Sequence, residues 1–167
     1  MALMLRSVVA ASCLALTGCA SVIDYSAPPG FAEAEADWQS QHYKGKGGVG
    51  LRVTVYDNLD GGTLEYWSHD LSAKLERRGY ALQTSSALRA KNDVPGLRYD
   101  FRLDRDGEDP MFLSVGLFVT DDYRYVTQLA GRQDEYEALS GRVPSLFQRL
   151  EPGGCKAGKR SVCRDQP

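Results

Sequence analysis

The fold is decided by the stretch LRYDFRL at residues 97–103, in which apolar and charged side chains alternate. This period of two is typical of a half-buried β-strand. Two more strands are predicted at residues 111–119, which are mostly apolar, and at residues 123–130. Turn residues separate these segments, Asp106-Gly107 and Asp121-Asp122. Because strands joined by tight turns run antiparallel, the sequence predicts a three-stranded antiparallel meander.

A strand, a helix and a short strand are predicted before the meander. Residues 51–56 alternate in the same way as residues 97–103, and Thr63 can cap a helix that follows them. That helix has an apolar stripe at steps of three and four residues, formed by Leu64, Trp67, Leu71 and Leu75. Gly79 is expected to end it, because a left-handed C-cap favours glycine. Residues 80–84 then form the short strand.

A second helix is predicted after the meander. Its inward-facing residues are Tyr136, Leu139, Val143, Phe147 and Leu150. Pro144 must kink or split this helix, since proline removes a hydrogen bond and clashes with the preceding turn. The element order β-α-β-β-β-β-α predicts an α+β domain, an antiparallel sheet of about five strands covered by two helices.

Four regions are predicted along the chain: a signal peptide at 1–18, a flexible tether at 19–48, a single α+β domain at 49–151 and a basic tail at 152–167. The tether is inferred from prolines and glycines at 27–30 and 45–48, with weak helical character between them at 31–41. Trp38 is the one large apolar group of that helical segment. It either packs against the domain or contacts a membrane surface or a partner.

The first residues have the zones of a secretion signal: Arg6, an apolar stretch at 8–16, and the small residues Thr17 and Gly18 before Cys19. The segment Leu16-Thr17-Gly18-Cys19 resembles the lipobox of bacterial lipoproteins. The resemblance implies cleavage between Gly18 and Cys19 and a lipid on Cys19. The alternative is an ordinary secretory signal cut near Ala20. In a bacterium with two membranes, the resemblance to sorted lipoproteins implies the outer membrane, since no Asp follows Cys19.

The tail contains the remaining pair of cysteines, Cys155 and Cys163. In an oxidising envelope such a pair is predicted to form a disulfide; the alternative is a metal or redox pair. Lys156, Lys159 and Arg160 give the tail a basic character. They either contact lipid phosphates or an acidic partner, or belong to a solvated chain end.

Composition and scattered polar residues argue against several function classes. A net charge of −2 argues against nucleic-acid binding. His69 and Asp70 are adjacent on a helix and do not face each other, so a catalytic pair is not expected. The acidic residues at 104–109 are interpreted as a hairpin turn rather than a calcium loop. No catalytic residue, metal ligand or cofactor is predicted; exposed tyrosines at 123, 125 and 136 are candidate contact residues.

The element order, with glycine opening the meander at Gly96-Leu97-Arg98-Tyr99, resembles the PsbP-like fold of bacterial DcrB-type lipoproteins over residues 50–150. This resemblance implies a non-catalytic accessory or binding domain and carries over no site residue. The Pro144 kink and the tail beyond Glu151 are not expected from it.

Together these features predict an outer-membrane lipoprotein, held by a lipid on Cys19, with a periplasm-facing domain that binds or scaffolds. The expected partner is an unidentified envelope protein. Two alternatives remain open: a small-ligand or lipid carrier, which would contain a closed apolar cavity, and an envelope hydrolase, which would need a deep cleft with convergent polar groups.

Overall fold

The computed structural model describes residues 23–153, which form one antiparallel sheet with helices on both faces. The sheet has seven strands in the order β1-β2-β3-β7-β6-β5-β4. Because β3 pairs with β7, strands from the two halves of the chain are joined at the middle of the sheet. The strands are β1 (Phe31–Ala36), β2 (Ser40–Gly45), β3 (Gly50–Asp57), β4 (Ala81–Arg89), β5 (Pro95–Leu103), β6 (Met111–Val119) and β7 (Tyr123–Arg132).

Helix α1 (Leu64–Glu76) packs on one face of the sheet, against β4, β5 and β6. Its start is fixed by Thr63, whose Oγ1 accepts a hydrogen bond from the Tyr66 N–H at 3.2 Å. Beyond its end, Gly79 has the left-handed φ of +89° that glycine adopts without a steric penalty. Both boundaries confirm the sequence prediction.

Two short helices, α2 (Gln133–Ser140) and α3 (Val143–Phe147), pack on the opposite face. Pro144 lies in the first turn of α3, where its missing N–H costs nothing, so it splits the predicted helix into two. The larger apolar cluster lies on this face, beneath α3. Gly116 permits the close packing, because a Cβ there would lie 2.7 Å from Phe147 Cδ2.

The α+β class, the two helical segments and the meander are confirmed. The sheet, however, has seven strands where about five were predicted, because the expected tether contributes β1 and β2. The strand predicted at 80–84 is also longer than expected, since β4 pairs with β5 from Ala81 to Arg89.

The prediction of a flexible tether at 19–48 is wrong for residues 31–45. β2 pairs with β3 along its length, and Phe31 of β1 packs against the larger core. The weak helical character predicted at 31–41 is likewise wrong, because a tight turn at Asp37 folds the segment into a hairpin. The glycines at 45–48 form a 3-10 turn between β2 and β3 rather than a hinge.

The predicted domain start at residue 49 is also too late. Ile23 and Tyr25 are buried in the larger core, and the Tyr25 hydroxyl donates to the Leu146 carbonyl at 3.0 Å. The Tyr43 hydroxyl in turn donates to the Tyr25 carbonyl at 3.1 Å. Residues 23–26 therefore belong to the folded domain.

Candidate functional site

Most of the predicted site residues lie outside the described part of the chain. These are Gly18 and Cys19 of the lipobox, the cysteine pair Cys155 and Cys163, and the basic residues Lys156, Lys159 and Arg160. Their roles stay predictions. Within residues 23–153, no helix is long and apolar enough to span a membrane.

Trp38 lies in the turn between β1 and β2, where 42% of its surface is exposed. The turn is fixed by Asp37, whose Oδ1 accepts hydrogen bonds from the Gln39 N–H at 2.8 Å and the Ser40 N–H at 2.5 Å. These backbone bonds lower the pKa of the Asp37 carboxyl below its usual value. Trp38 is thus held on a fixed turn at one end of the sheet.

The polar residues considered for chemistry are not brought together. His69 is exposed on α1, and Asp70 forms an ion pair with Lys74 at 2.7 Å. In the hairpin between β5 and β6, Asp104 pairs with Arg102 at 2.8 Å. No group of three or more His, Cys, Asp or Glu side chains within residues 23–153 could hold a metal ion.

The prediction of an exposed tyrosine cluster is wrong for two of its three members. Tyr125 is fully buried and Tyr136 is 6% exposed, because both point from the sheet and α2 into the larger core. The Tyr125 hydroxyl accepts a hydrogen bond from the Gly153 N–H at 2.9 Å. Burial raises the Tyr125 pKa to about 12. These tyrosines are core residues and offer no contact surface.

The two edges of the sheet differ in their accessibility to another strand. The β1 edge, FAEAEA, is six residues long, carries Glu33 and Glu35, and has a register shift between these two residues. Charged side chains and bulges hinder pairing with a foreign strand. The β1 edge is therefore protected.

The β4 edge, ALQTSSALR, is nine residues long and uncharged until Arg89. Residues 81–87 are all exposed, including Leu82, of which 41% is accessible. It has one register shift, between Leu82 and Thr84. In the described part of the chain, no strand pairs with its outer side. The backbone N–H and C=O groups along that side can pair with an extended polypeptide.

A polar cluster lies behind the β4 edge and fixes β5. Arg98 binds Asp100 through two contacts, Nε to Oδ1 at 2.9 Å and Nη2 to Oδ2 at 2.8 Å. Asp100 Oδ1 also accepts hydrogen bonds from the Ser114 and Tyr136 hydroxyls. Burial raises the pKa of Tyr136. Since Asp100 is engaged by three neighbours, the cluster braces the strand next to the β4 edge.

The β4 edge was missed because this strand was predicted to end at residue 84. A signal was present: residues 81–88 contain no charge, no proline and no glycine. Such a run lacks the charges and prolines that protect an edge strand, but only the sheet order shows that it lies at an edge.

Solved structures with a similar fold were found. One is PA94 of Pseudomonas aeruginosa, a protein of unknown function suggested to be a regulator, with a TM-score of 0.55 and 11% identity over 73% of this chain and 81% of that one. Another is cyanobacterial PsbP (CyanoP) from Synechocystis sp. PCC 6803, with a TM-score of 0.51 and 13% identity over 85% of this chain and 98% of that one. The likeness is one of fold. It supports the predicted PsbP-like resemblance at that level. No family model matches the chain, and the search of curated proteins found no match.

Proposed function

We propose that this chain is an outer-membrane lipoprotein whose periplasm-facing domain is non-catalytic and binds another protein of the cell envelope. The lipobox at residues 16–19 supports the lipid anchor on Cys19. Two or three acyl chains hold a protein on a membrane almost permanently, whereas one chain binds reversibly. Among the described residues, the first buried one is Ile23, so the folded domain begins closer to Cys19 than the predicted start at residue 49.

The observation that carries the binding function is the β4 edge. An extended segment of the partner adds to β4 as an eighth strand of the seven-stranded sheet. Main-chain hydrogen bonds supply affinity in this mode of recognition, and side-chain positions along the strand supply specificity. Leu82 and the hydroxyl side chains of Thr84 and Ser86 are the specificity positions.

The register of β4 indicates that the strand added to it comes from a different protein and not from a second copy of this chain. Antiparallel self-pairing centred on Ser85 would place Leu82 opposite Leu88. Leu82 pairs with Phe101, whose side chain points to the α1 face, whereas Leu88 belongs to the core on the opposite face. The register shift between Leu82 and Thr84 causes this mismatch, so in this pairing a second copy is in register only over residues 84–86.

The anchor and the binding function are tested separately. Metabolic labelling with palmitate should mark the wild type and leave Cys19→Ala unlabelled. Equal labelling of both would contradict the anchor and leave the β4 edge untouched.

The binding function is tested by crosslinking and pull-down from intact envelopes. The informative pair of variants is Ser85→Lys on the β4 edge and Ala34→Lys on the β1 edge, both at exposed positions. A lysine on an edge strand hinders strand addition and leaves the fold intact. We expect Ser85→Lys to lower recovery of a stoichiometric partner at least tenfold, with wild-type recovery for Ala34→Lys. Equal recovery with both variants, or no partner with any of them, would overturn the proposal.

A further inference from the structure

A cleft between α1 and the sheet has the composition of a small-molecule site. It has a volume of about 330 Å³, which lies at the lower end of the range for ligand pockets, about 300–1,000 Å³. Its floor is apolar and comes from both the helix and the sheet: Leu71, Leu75, Leu117 and Val126. The cleft lies on the opposite face from the larger core and away from the β1 edge.

The rim of the cleft carries excess positive charge. Lys74, Arg78 and Arg124 line it together with one carboxylate, Asp70. Asp70 is already paired with Lys74 at 2.7 Å. Among the described residues, no carboxylate forms an ion pair with Arg78 or Arg124. The two guanidinium groups are therefore available to an anion.

Arg124 is held in position by its neighbours. Its Nε donates to the Asp57 carbonyl at 3.1 Å, and its guanidinium carbon lies 3.6 Å from the centre of the Trp67 ring. This leaves the terminal N–H groups without an acceptor in the described part of the chain. A fixed guanidinium loses little conformational entropy when it binds a carboxylate or phosphate through two parallel hydrogen bonds.

Trp67 is fixed in turn by Asn58, a buried residue of the loop after β3. Trp67 Nε1 donates to Asn58 Oδ1 at 2.7 Å. Asn58 Nδ2 donates to the Thr120 carbonyl at 2.8 Å and to the Gly62 carbonyl at 3.0 Å. All three polar positions of this amide are thus engaged. The chain of contacts from Asn58 through Trp67 to Arg124 is the support that a precise binding site requires.

We propose that this cleft binds a small organic anion, a molecule with one carboxylate or phosphate group attached to an apolar body. Arg124 and Arg78 bind the anionic group, and the leucines of the floor contact the apolar body. This inference does not depend on the β4 edge or on the lipid anchor. The cleft is an open recess with a charged rim, and so differs from the closed apolar cavity expected of a lipid carrier.

The first test uses Trp67 as a reporter in the chain from residue 19 onwards, produced without the lipid and with Trp38→Phe, which leaves Trp67 as the single tryptophan. Octanoate and octyl phosphate are the probes; acetate supplies the charge without the apolar body, and octanol supplies the body without the charge. We expect saturable fluorescence changes with at least one anionic probe, binding at least tenfold tighter than acetate or octanol. Equal binding of octanol, or no saturation by either probe, would overturn the proposal.

The second test assigns the anion to the arginines. Arg124→Gln should weaken binding of the anionic probe at least tenfold, since hydrogen bonds to charged groups are among the strong ones. Because Arg124 also stacks on Trp67, Arg78→Gln provides an independent variant at an exposed position and should weaken binding about threefold. Arg77→Gln, on the adjacent residue that lies outside the cleft, is the control. Wild-type affinity in Arg78→Gln and in a folded Arg124→Gln would contradict the assignment.

Discussion

The β1 edge and the β4 edge end the same sheet and are built in different ways. β1 is short and acidic, and it is joined to β2 by the turn that Asp37 fixes. β4 is longer, uncharged over eight residues and exposed, and it is braced from behind by Arg98 and Asp100. A sheet that had to avoid all pairing would be expected to protect both edges. This difference is the basis of the proposal that β4 binds a partner.

The largest loss of stability is expected from Asp100→Ala, which removes the polar contacts that hold β5, the strand next to the β4 edge. The variant leaves Arg98, whose side chain is 14% exposed, without its carboxylate, and it also deprives Ser114 and Tyr136 of an acceptor. We expect the free energy of unfolding to fall by about 2–4 kcal/mol in chemical denaturation.

The control for this variant is Asp104→Ala, which breaks the exposed ion pair with Arg102 close to the same strand. Exposed pairs contribute about 0–1 kcal/mol, so this loss should be small. Similar losses in the two variants would show that the Asp100 cluster does not brace the β4 edge.

A loss of stability of intermediate size is expected at alkaline pH, caused by the buried Tyr43 on the β1 side of the sheet. Burial raises the pKa of Tyr43 in β2 to about 12, above its ordinary value of about 10. Between these values the folded protein keeps a proton that the unfolded chain has released. The stability contributed by this proton is therefore complete below about pH 10 and is lost as the pH rises towards about 12. The free energy of unfolding falls by at most about 1.4 kcal/mol per pH unit for each such proton.

Chemical denaturation of wild type and Tyr43→Phe between pH 9 and about 12 checks this prediction. The wild type should lose stability more steeply than the variant, which has no phenol at this position. Tyr66→Phe, at an exposed position on α1, should follow the wild type. Parallel curves for all three proteins would contradict a role for the buried Tyr43 hydroxyl.

The smallest expected effect is a local increase in amide exchange near the turn that joins β1 to β2. Asp37→Asn weakens the charge-assisted bonds to the Gln39 and Ser40 N–H groups. Amides of β1 and β2 should exchange with solvent faster, while those of β4 and β5 stay unchanged. Because the pKa of Asp37 is lowered, the wild-type turn should also lose protection as the pH falls below about 4. Faster exchange throughout the sheet would show that the turn is not a local feature.

The meander and the helices could be predicted because each has a local signal. Alternation marked β5, and Pro144 marked the break between α2 and α3. The β1–β2 hairpin could not be predicted in this way. Its alanines and glutamates favour helices and are depleted in strands, and only pairing with β3 and the packing of Phe31 override that preference.

The candidate site was harder to predict than the fold. Which strand lies at an edge depends on the pairing of β3 with β7, a contact between distant parts of the chain that leaves no local pattern. The cleft likewise depends on the contact of Trp67 with Arg124, which is far from Asn58 and Trp67 in sequence. Trp67 was correctly assigned to the inner stripe of α1, but its stacking on Arg124 becomes visible only in the structure.

The most direct test of β4 as the partner-binding edge is photo-crosslinking from both edges in intact envelopes. A photoreactive amino acid is placed at Ser85 of β4 in one protein and at Ala34 of β1 in the other, each with Cys19 intact. We expect a discrete adduct with one envelope protein from position 85 and none from position 34. Adducts of equal yield from both positions, or an adduct from position 34 alone, would contradict the claim that β4 is the partner-binding edge.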